Sequence, residues 1–452
     1  MSEPSTVNLF QPALSHVTIR NFKSIKALDL DLRQFSVFVG PNGSGKTNLI
    51  QALTLLGDVL DTGSSDPVRD LGWSDIIRRE KKPARSGLTL GVRIRVPAPW
   101  LLLGPRPSKS RLASMAPITL VDVVVTFGGR KDTQRVEILR EEVILRLEKG
   151  NQMLLRVVAD GDAPTSVEVI DDSYLAEIFR IPTDKNVADL LRDFFGPRQL
   201  EQFTQHRTPE TESRRFLRIA GSRSYWLPWG TAVTRATAVE RFRLDASSLR
   251  TESSTDLRGR TGLEATGRGL AVAVAKLRGF EDVPKPEFMP ILETLRSVYG
   301  RIQDVRPVQI TSGRLSLQFK ERCIAEPLDQ GSVSDGVLHA LALLIALRGE
   351  ETGVLAIEEP ENAIHPWSIR AMIRHAQNTR RQVFLTTHSE TVVNAIDDPG
   401  SLFIVEQDDN GTRIQEARSK DAAIDAILAN SGQRLGDVWM DGTLGGVPGG
   451  AH

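Results

Sequence analysis

Three short apolar runs dominate the hydropathy of this chain: Val37-Phe38-Val39, Val354-Leu355-Ala356-Ile357 and Val383-Phe384-Leu385. Runs this short and continuous, bounded by polar clusters, are the pattern of strands buried on both faces. After the first run, Leu49, Leu53, Leu56 and Leu60 recur at helical spacing and fall on one face. His16-Val17-Thr18-Ile19-Arg20 reads as a strand, and Leu28, Leu30 and Leu32 alternate with polar residues in a second one. Residues 87–100 and 118–170 carry repeated β patterns, among them Leu88 to Val96, Val121 to Thr126 and Val143 to Leu147. These predict a mostly antiparallel set of strands, with a Pro-, Ser- and Lys-containing loop over residues 101–117. From about Ala176 to Val298 the pattern turns more helical, and strands return from Val308. Residues 1–14 read as a loose tail. No repeat of 20–50 residues and no sustained heptad is visible, so long coiled-coil arms are not expected.

The expectation is an α/β fold with an antiparallel β subdomain and a helical lobe, in four segments. Residues 1–175 form an N-terminal lobe, residues 176–305 a mainly helical insert, residues 306–400 a second part of the core, and residues 401–452 a C-terminal extension. At 452 residues the chain can bury a large core. Its composition, 40% apolar and 25% charged, is that of an ordinary globular protein. The formal net charge is zero, which removes the simplest argument for a nucleic-acid partner while leaving room for a local basic patch. Cys323 is the only cysteine; it reads as structural, and no intrachain disulfide can form. The seven histidines show no zinc-ligand spacing. The longest apolar run, Val337 to Leu347, is interrupted by His339 and too short to span a bilayer. With no charged-then-apolar leader at the N-terminus, a soluble cytoplasmic protein is expected, with no membrane partner.

The chemistry begins after the first buried strand. Gly40-Pro41-Asn42-Gly43-Ser44-Gly45-Lys46-Thr47 is a glycine-rich turn between a strand and a helix. Such a turn points backbone N–H groups inward around a phosphate. Lys46 would reach the β- and γ-phosphates, and the Thr47 hydroxyl would hold Mg²⁺. Binding alone does not hydrolyse a triphosphate; a metal-side carboxylate and a group that orients water are also needed. Glu358 ends the second buried strand and suits the metal side, through water, while Glu359 beside it suits a general base. Third comes His388, which ends the last buried strand 29 residues after Glu359 and can contact a γ-phosphate and hold the water. Ser334-Asp335-Gly336 precedes the apolar helix Val337 to Leu347; free N–H groups, a helix dipole and a hydroxyl make it an anion site as well as an N-cap.

These four elements, in this order, resemble the ATP-binding-cassette head of the SMC/RecF/OLD group of P-loop ATPases. By that resemblance Gly40 to Thr47 is Walker A, and Val333 to Val337 stands where the family has its Leu-Ser-Gly-Gly-Gln signature. Glu358-Glu359 is similar to Walker B, Asn362-Ala363-Ile364-His365 to the D-loop, and His388 to the switch histidine. Val17 to Ser24 resembles the family's first strand, where a basic residue approaches the nucleotide; Lys23 is the candidate. Two positions depart from the wider class: Asp335 stands where it has Gly, and Glu358 where most P-loop ATPases have Asp. Both resemble the RecF/OLD-like branch with its Glu-Glu-Pro-Glu-Asn phrase. Neither Gln134 nor Gln152 has the context of a Q-loop glutamine.

The resemblance implies ATP and Mg²⁺ as ligands. It also implies a homodimer, or a higher multiple, in which two heads sandwich two ATP molecules between one chain's Walker A and the other's signature. Three uses of that ATP stay open: a bacterial anti-phage defence ATPase that controls a separate effector, a RecF-like DNA-repair ATPase, or a scaffold with ATP as structural glue. Family members of the OLD type carry a TOPRIM nuclease domain, and the 64 residues after His388 are too few for one, so a separate TOPRIM-like nuclease or toxin is the expected partner. Trp439 and Leu444 in the Gly-rich tail could dock it. From Arg214 to Arg268 there are 11 arginines and five acids, with Phe216, Tyr225, Trp226, Trp229 and Phe242 interleaved. That mix suits phosphate contact and base stacking, and equally arginines paired with acids elsewhere around aromatics in a core. If it binds DNA, Arg214/Arg215/Arg218→Ala should abolish a salt-sensitive shift in a gel or anisotropy titration; no binding by the unaltered chain at low salt ends that reading.

Overall fold

The computed structural model describes residues 11–78, 87–97, 119–129, 136–161, 166–171, 175, 229–254, 262–311, 313–349, 353–362, 364–417 and 434–446. A six-stranded sheet forms the centre, in the order β17-β16-β3-β15-β14-β9. Its strands are β3 (Phe35–Val39), β9 (Val239–Phe242), β14 (Val354–Glu358), β15 (Gln382–Thr387), β16 (Leu402–Asp408) and β17 (Gly411–Glu416). All neighbours are parallel except the β16–β17 hairpin. The three apolar runs are β3, β14 and β15, and every residue of each is buried, as continuous hydrophobicity requires of a strand covered on both faces.

A seven-stranded antiparallel sheet packs on one side, in the order β2-β1-β4-β5-β6-β7-β8. It consists of β1 (Ala13–Phe22), β2 (Ile25–Asp31), β4 (Leu88–Val96), β5 (Thr119–Gly129), β6 (Val136–Leu147), β7 (Met153–Asp160) and β8 (Ser166–Val169). Helix α1 (Lys46–Thr62) lies in the same core, with Leu49, Leu53, Leu56 and Leu60 buried as their spacing predicts. Alternation along the central strands separates two cores. Phe38, Ala356, Phe384 and Phe403 face α1 and the antiparallel sheet; Val37, Val39, Leu355, Ile357, Val383 and Leu385 face the opposite side.

That second core is built on the helix Asp335–Leu347, whose residues from Val337 onward are all buried, which accounts for a sequence apolar on every face. Packed with it is a small antiparallel sheet of β10 (Ser253–Ser254), β12 (Arg314–Glu321) and β11 (Ile302–Thr311), with β13 (Leu328–Asp329) on β12. No helix among the described residues is long and apolar enough to cross a membrane.

Several readings from sequence change here. The stretch expected to be a helical insert also supplies β9, the edge strand beside β14. Trp439 and Leu444, expected as a docking surface, are each 2% exposed in the second core, because the helix Leu435–Met440 folds the tail back onto the chain. Trp229 and Phe242 are buried as well and offer no stacking face; Phe216, Tyr225 and Trp226 lie outside the described residues. Cys323 is exposed in the turn after β12 and fills no core.

Phe384 is fully buried, edge-on to Phe38 with ring centroids 6.0 Å apart, and Phe38 in turn stacks on Phe403 at 5.1 Å. Phe384→Ala should therefore destabilise the protein by about 3–5 kcal/mol, read as a lower denaturant midpoint.

Candidate nucleotide site

The parallel register brings the carboxyl ends of β3, β15 and β14 side by side, with Thr387 opposite Val39 and Glu358 opposite Thr386. Everything that follows these strands meets at one edge of the sheet, where open α/β sheets place their ligands.

After β3 the chain turns through Gly40 to Gly45 into α1. Gly45 has φ 104°, and a Cβ there would also lie 2.0 Å from the Thr412 hydroxyl, so only glycine fits. At Gly40 a Cβ would lie 2.1 Å from the Val405 carbonyl oxygen of β16. Lys46 is buried and donates to the carbonyls of Gly40 (2.6 Å) and Pro41 (2.9 Å). Burial pushes its ammonium below the ordinary lysine range, against the opposing field of Glu359 and Glu361. Ser44 Oγ is buried without a hydrogen-bond partner, an orphan hydroxyl inside the turn. The Thr47 hydroxyl donates to Glu358 Oε2 at 3.3 Å.

Behind the turn stands a hydrogen-bond relay that the sequence did not reveal. Thr412 Oγ1 on β17 donates to the Ser44 carbonyl (3.0 Å) and meets Ser24 Oγ at 2.6 Å, which accepts from the Asn48 side chain at 2.6 Å. With one proton per hydroxyl, the direction is Asn48 to Ser24 to Thr412 to the Ser44 carbonyl. The tip of a distant hairpin thus fixes the shape of the glycine-rich turn.

Glu358 is 4% exposed at the end of β14, its other oxygen accepting from Arg241 Nε on β9. Glu359 sits in the left-handed region at φ 48°, unusual for a non-glycine residue, and its N–H donates to the Thr386 carbonyl. His388 Nδ1 lies 3.8 Å from Glu359 Oε1 and 3.5 Å from Glu361 Oε1. Glu361 Oε1 also accepts from the Thr387 hydroxyl (2.7 Å) and the His388 N–H (3.1 Å), and its Oε2 is buried without a partner. Glu361 was legible from sequence only as one letter of an acidic turn; its place two residues after Glu359 was the available signal.

The structure therefore assembles Lys46, Thr47, Glu358, Glu359 and His388, and adds Glu361, Arg241 and Thr412. Lys23, the basic candidate of the first strand, donates from Nζ to Gln51 of α1 at 2.6 Å, one turn beyond Thr47, and its own φ is 48°. Ser334 precedes the signature helix with extended backbone and no side-chain cap bond. Among the described residues, no hydrogen bond or ion pair joins Ser334, Asp335 or Gly336 to the glycine-rich turn.

Two families of AAA type match this chain. One, described as an AAA ATPase domain, matches residues 13–82; the other, whose description names an AAA domain, the AbiEii toxin and a type IV toxin–antitoxin system, matches residues 198–394. The DNA replication and repair protein RecF of Vibrio campbellii is 51% identical over 45 residues, 10% of this chain and 13% of that protein. The chromosome partition protein Smc of Methanocaldococcus jannaschii is 40% identical over 65 residues, 14% of this chain and 5% of that protein. The chain thus spans about an eighth, or less, of the length of these relatives. A crystal structure of an Smc head bound to the C-terminal winged-helix domain of ScpA aligns over 89% of this chain and 97% of that one, at 13% identity and a TM-score of 0.44; a likeness at that level adds nothing to the assignment. Over these stretches the chain is similar to AAA-type ATPase domains and to RecF and Smc proteins.

Thr412→Val keeps the shape of the side chain but leaves the Ser44 carbonyl and Ser24 without their partner. It should weaken binding of a fluorescent ATP analogue by about 1–2 kcal/mol, measured by titration.

Proposed function

We propose that this chain binds and hydrolyses ATP, that two copies close around two ATP molecules, and that the cycle controls a separate effector, a nuclease or toxin, in bacterial anti-phage defence. The observation that carries the ATP reading is the convergence of Lys46, Thr47, Glu358, Glu359 and His388 at the ends of three adjacent parallel strands.

The ligands fit the residues present. Gly40 to Thr47 offers a turn with an unpartnered buried hydroxyl and a lysine that, among the described residues, donates to two carbonyls of the same turn. On binding, Lys46 exchanges those carbonyls for phosphate oxygens, which also offsets the cost of its burial. The Thr47 hydroxyl and Glu358 carboxylate form a hard oxygen pair suited to Mg²⁺, and among the described residues no group of three or more His, Cys, Asp or Glu competes for a metal. Bound Mg²⁺ would neutralise charge on the phosphates. Arg241 holds one Glu358 oxygen, leaving the other toward Thr47. Glu359, held in a left-handed conformation, accepts the proton of the attacking water, and His388, steadied by Glu361, orients that water. Among the described residues Ser334, Asp335 and Gly336 make no hydrogen bond or ion pair with the chain's own glycine-rich turn, which is compatible with a composite site in which they meet a second copy's γ-phosphate.

The match to the AbiEii-named AAA family over residues 198–394 favours the defence reading, and the RecF matches favour the DNA-repair alternative. Arg241 and Arg250 are already committed to Glu358 and Asp335, which weakens the case for the arginine-rich stretch as a nucleic-acid surface.

Glu359→Gln should bind ATP with near-normal affinity, lose turnover by about 10²–10⁴-fold, and accumulate a dimer with ATP in light scattering. Wild-type turnover in that variant would remove Glu359 as the base, and no phosphate release from the unaltered chain, alone or with its genetic neighbour, would leave ATP as structural glue.

A further inference from the structure

We infer that Arg250 serves the signature segment by cancelling the charge of Asp335, so that this surface can receive a phosphate. The inference rests on the composite-site reading above.

Arg250 closes the short helix Ala246–Arg250, which is started by the Asp245 side chain accepting from the Ser248 N–H at 2.8 Å. Its guanidinium reaches three points of one loop. Nε and Nη2 both approach Asp335 Oδ1, at 2.8 and 2.7 Å; Nη2 also donates to the Val333 carbonyl at 2.8 Å, and Nη1 to that of Gly331. A planar fork with five N–H groups can satisfy these acceptors together, which an ammonium cannot. The loop is fastened on its other side by Gln330, which donates to the Leu249 carbonyl and accepts from the Leu317 N–H at 3.0 Å. The segment is therefore fixed in shape before any second copy arrives.

Charge gives this clamp its purpose. Between Gln330 and Gly336 the only ionisable side chain is Asp335, at the first position of the signature helix. A bare carboxylate there would repel a γ-phosphate in the place where the helix dipole and free N–H groups attract one. Asp335 is 42% exposed and Arg250 33% exposed, so the pair lies at the surface where a second copy would close. The departure from glycine at this position and the arginine 85 residues upstream are two halves of one feature.

The test uses the full chain carrying Glu359→Gln, with ATP-dependent dimerisation followed by sedimentation across protein concentration and salt. Adding Arg250→Ala should weaken the dimer about tenfold or more at low salt, with a smaller deficit at high salt, while binding of a fluorescent ATP analogue to the monomer stays unchanged. Adding Asp335→Asn to that variant should restore dimerisation to within about threefold of the parent, because no carboxylate is left to cancel. The rescue separates charge from bracing: if Arg250 mattered only through the Gly331 and Val333 carbonyls, the double variant would stay as weak as Arg250→Ala, and the inference would be overturned. Normal dimerisation by Arg250→Ala would overturn it too, with the composite site intact. A parent that stays monomeric with ATP would instead bring down the composite-site reading, and this inference with it. Arg250→Lys, which keeps the charge without the fork, guards against a folding defect and should fall between parent and Arg250→Ala; a Lys variant as weak as Ala counts against charge cancellation.

Discussion

The parallel pairing of β3, β15 and β14 is the constraint on which the rest depends. Strands in parallel register end at the same edge, so the chain leaving each one is delivered to the same place. The glycine-rich turn leaves β3, the acidic turn leaves β14 and His388 leaves β15. A one-residue slip would turn Glu358 from the site and send each apolar side chain of the strand into the opposite core, where its shape does not fit. Burial of both faces holds the register, and the site inherits its precision from that packing rather than from its own polar contacts.

Those polar contacts are costly in isolation. Lys46 and Glu358 are both nearly inaccessible to solvent, and a buried charge without a partner would shift its protonation or destabilise the fold. Each is matched with the nearest complementary group: Lys46 with carbonyls of its own turn, Glu358 with Arg241 and Thr47. Under the proposed function such pairings are exchangeable, because a triphosphate and a cation would replace them without leaving a charge bare. Glu359 in a left-handed conformation and the unpartnered oxygens of Ser44 and Glu361 are further signs of a site whose partners arrive with a ligand.

Much of the geometry is imposed from a distance. Thr412, far along the chain, touches the back of the glycine-rich turn, and Arg250 fixes the signature segment from a helix 85 residues away. Both work by giving a backbone carbonyl or a carboxylate one defined partner, which converts a flexible loop into a single shape. The C-terminal helix follows the same logic with apolar groups, spending Trp439 and Leu444 on the second core.

The sequence by itself determined the elements and the local chemistry. Continuous apolar runs named β3, β14 and β15, helical spacing named the buried face of α1, and Gly40 to Thr47 announced its turn because glycine spacing and a following lysine are local requirements. Glu358, Glu359 and His388 were legible for the same reason: the two acids stand at the end of one buried strand and the histidine follows another. Only the tertiary structure decided which residues support them. Arg241, Arg250 and Thr412 carry no local signal, since an arginine or threonine in a strand or short helix reads alike whether it meets solvent or a buried carboxylate, and Glu361 showed only as a third acid in the turn after Glu359. The edge strand β9 was hidden in a helical-looking stretch because four residues are too few for a period to show, and the tail looked free because hydrophobicity alone does not say which surface will cover it. Pairings between residues hundreds of positions apart are set by how the sheets stack, and that is a property of the packed chain as a whole.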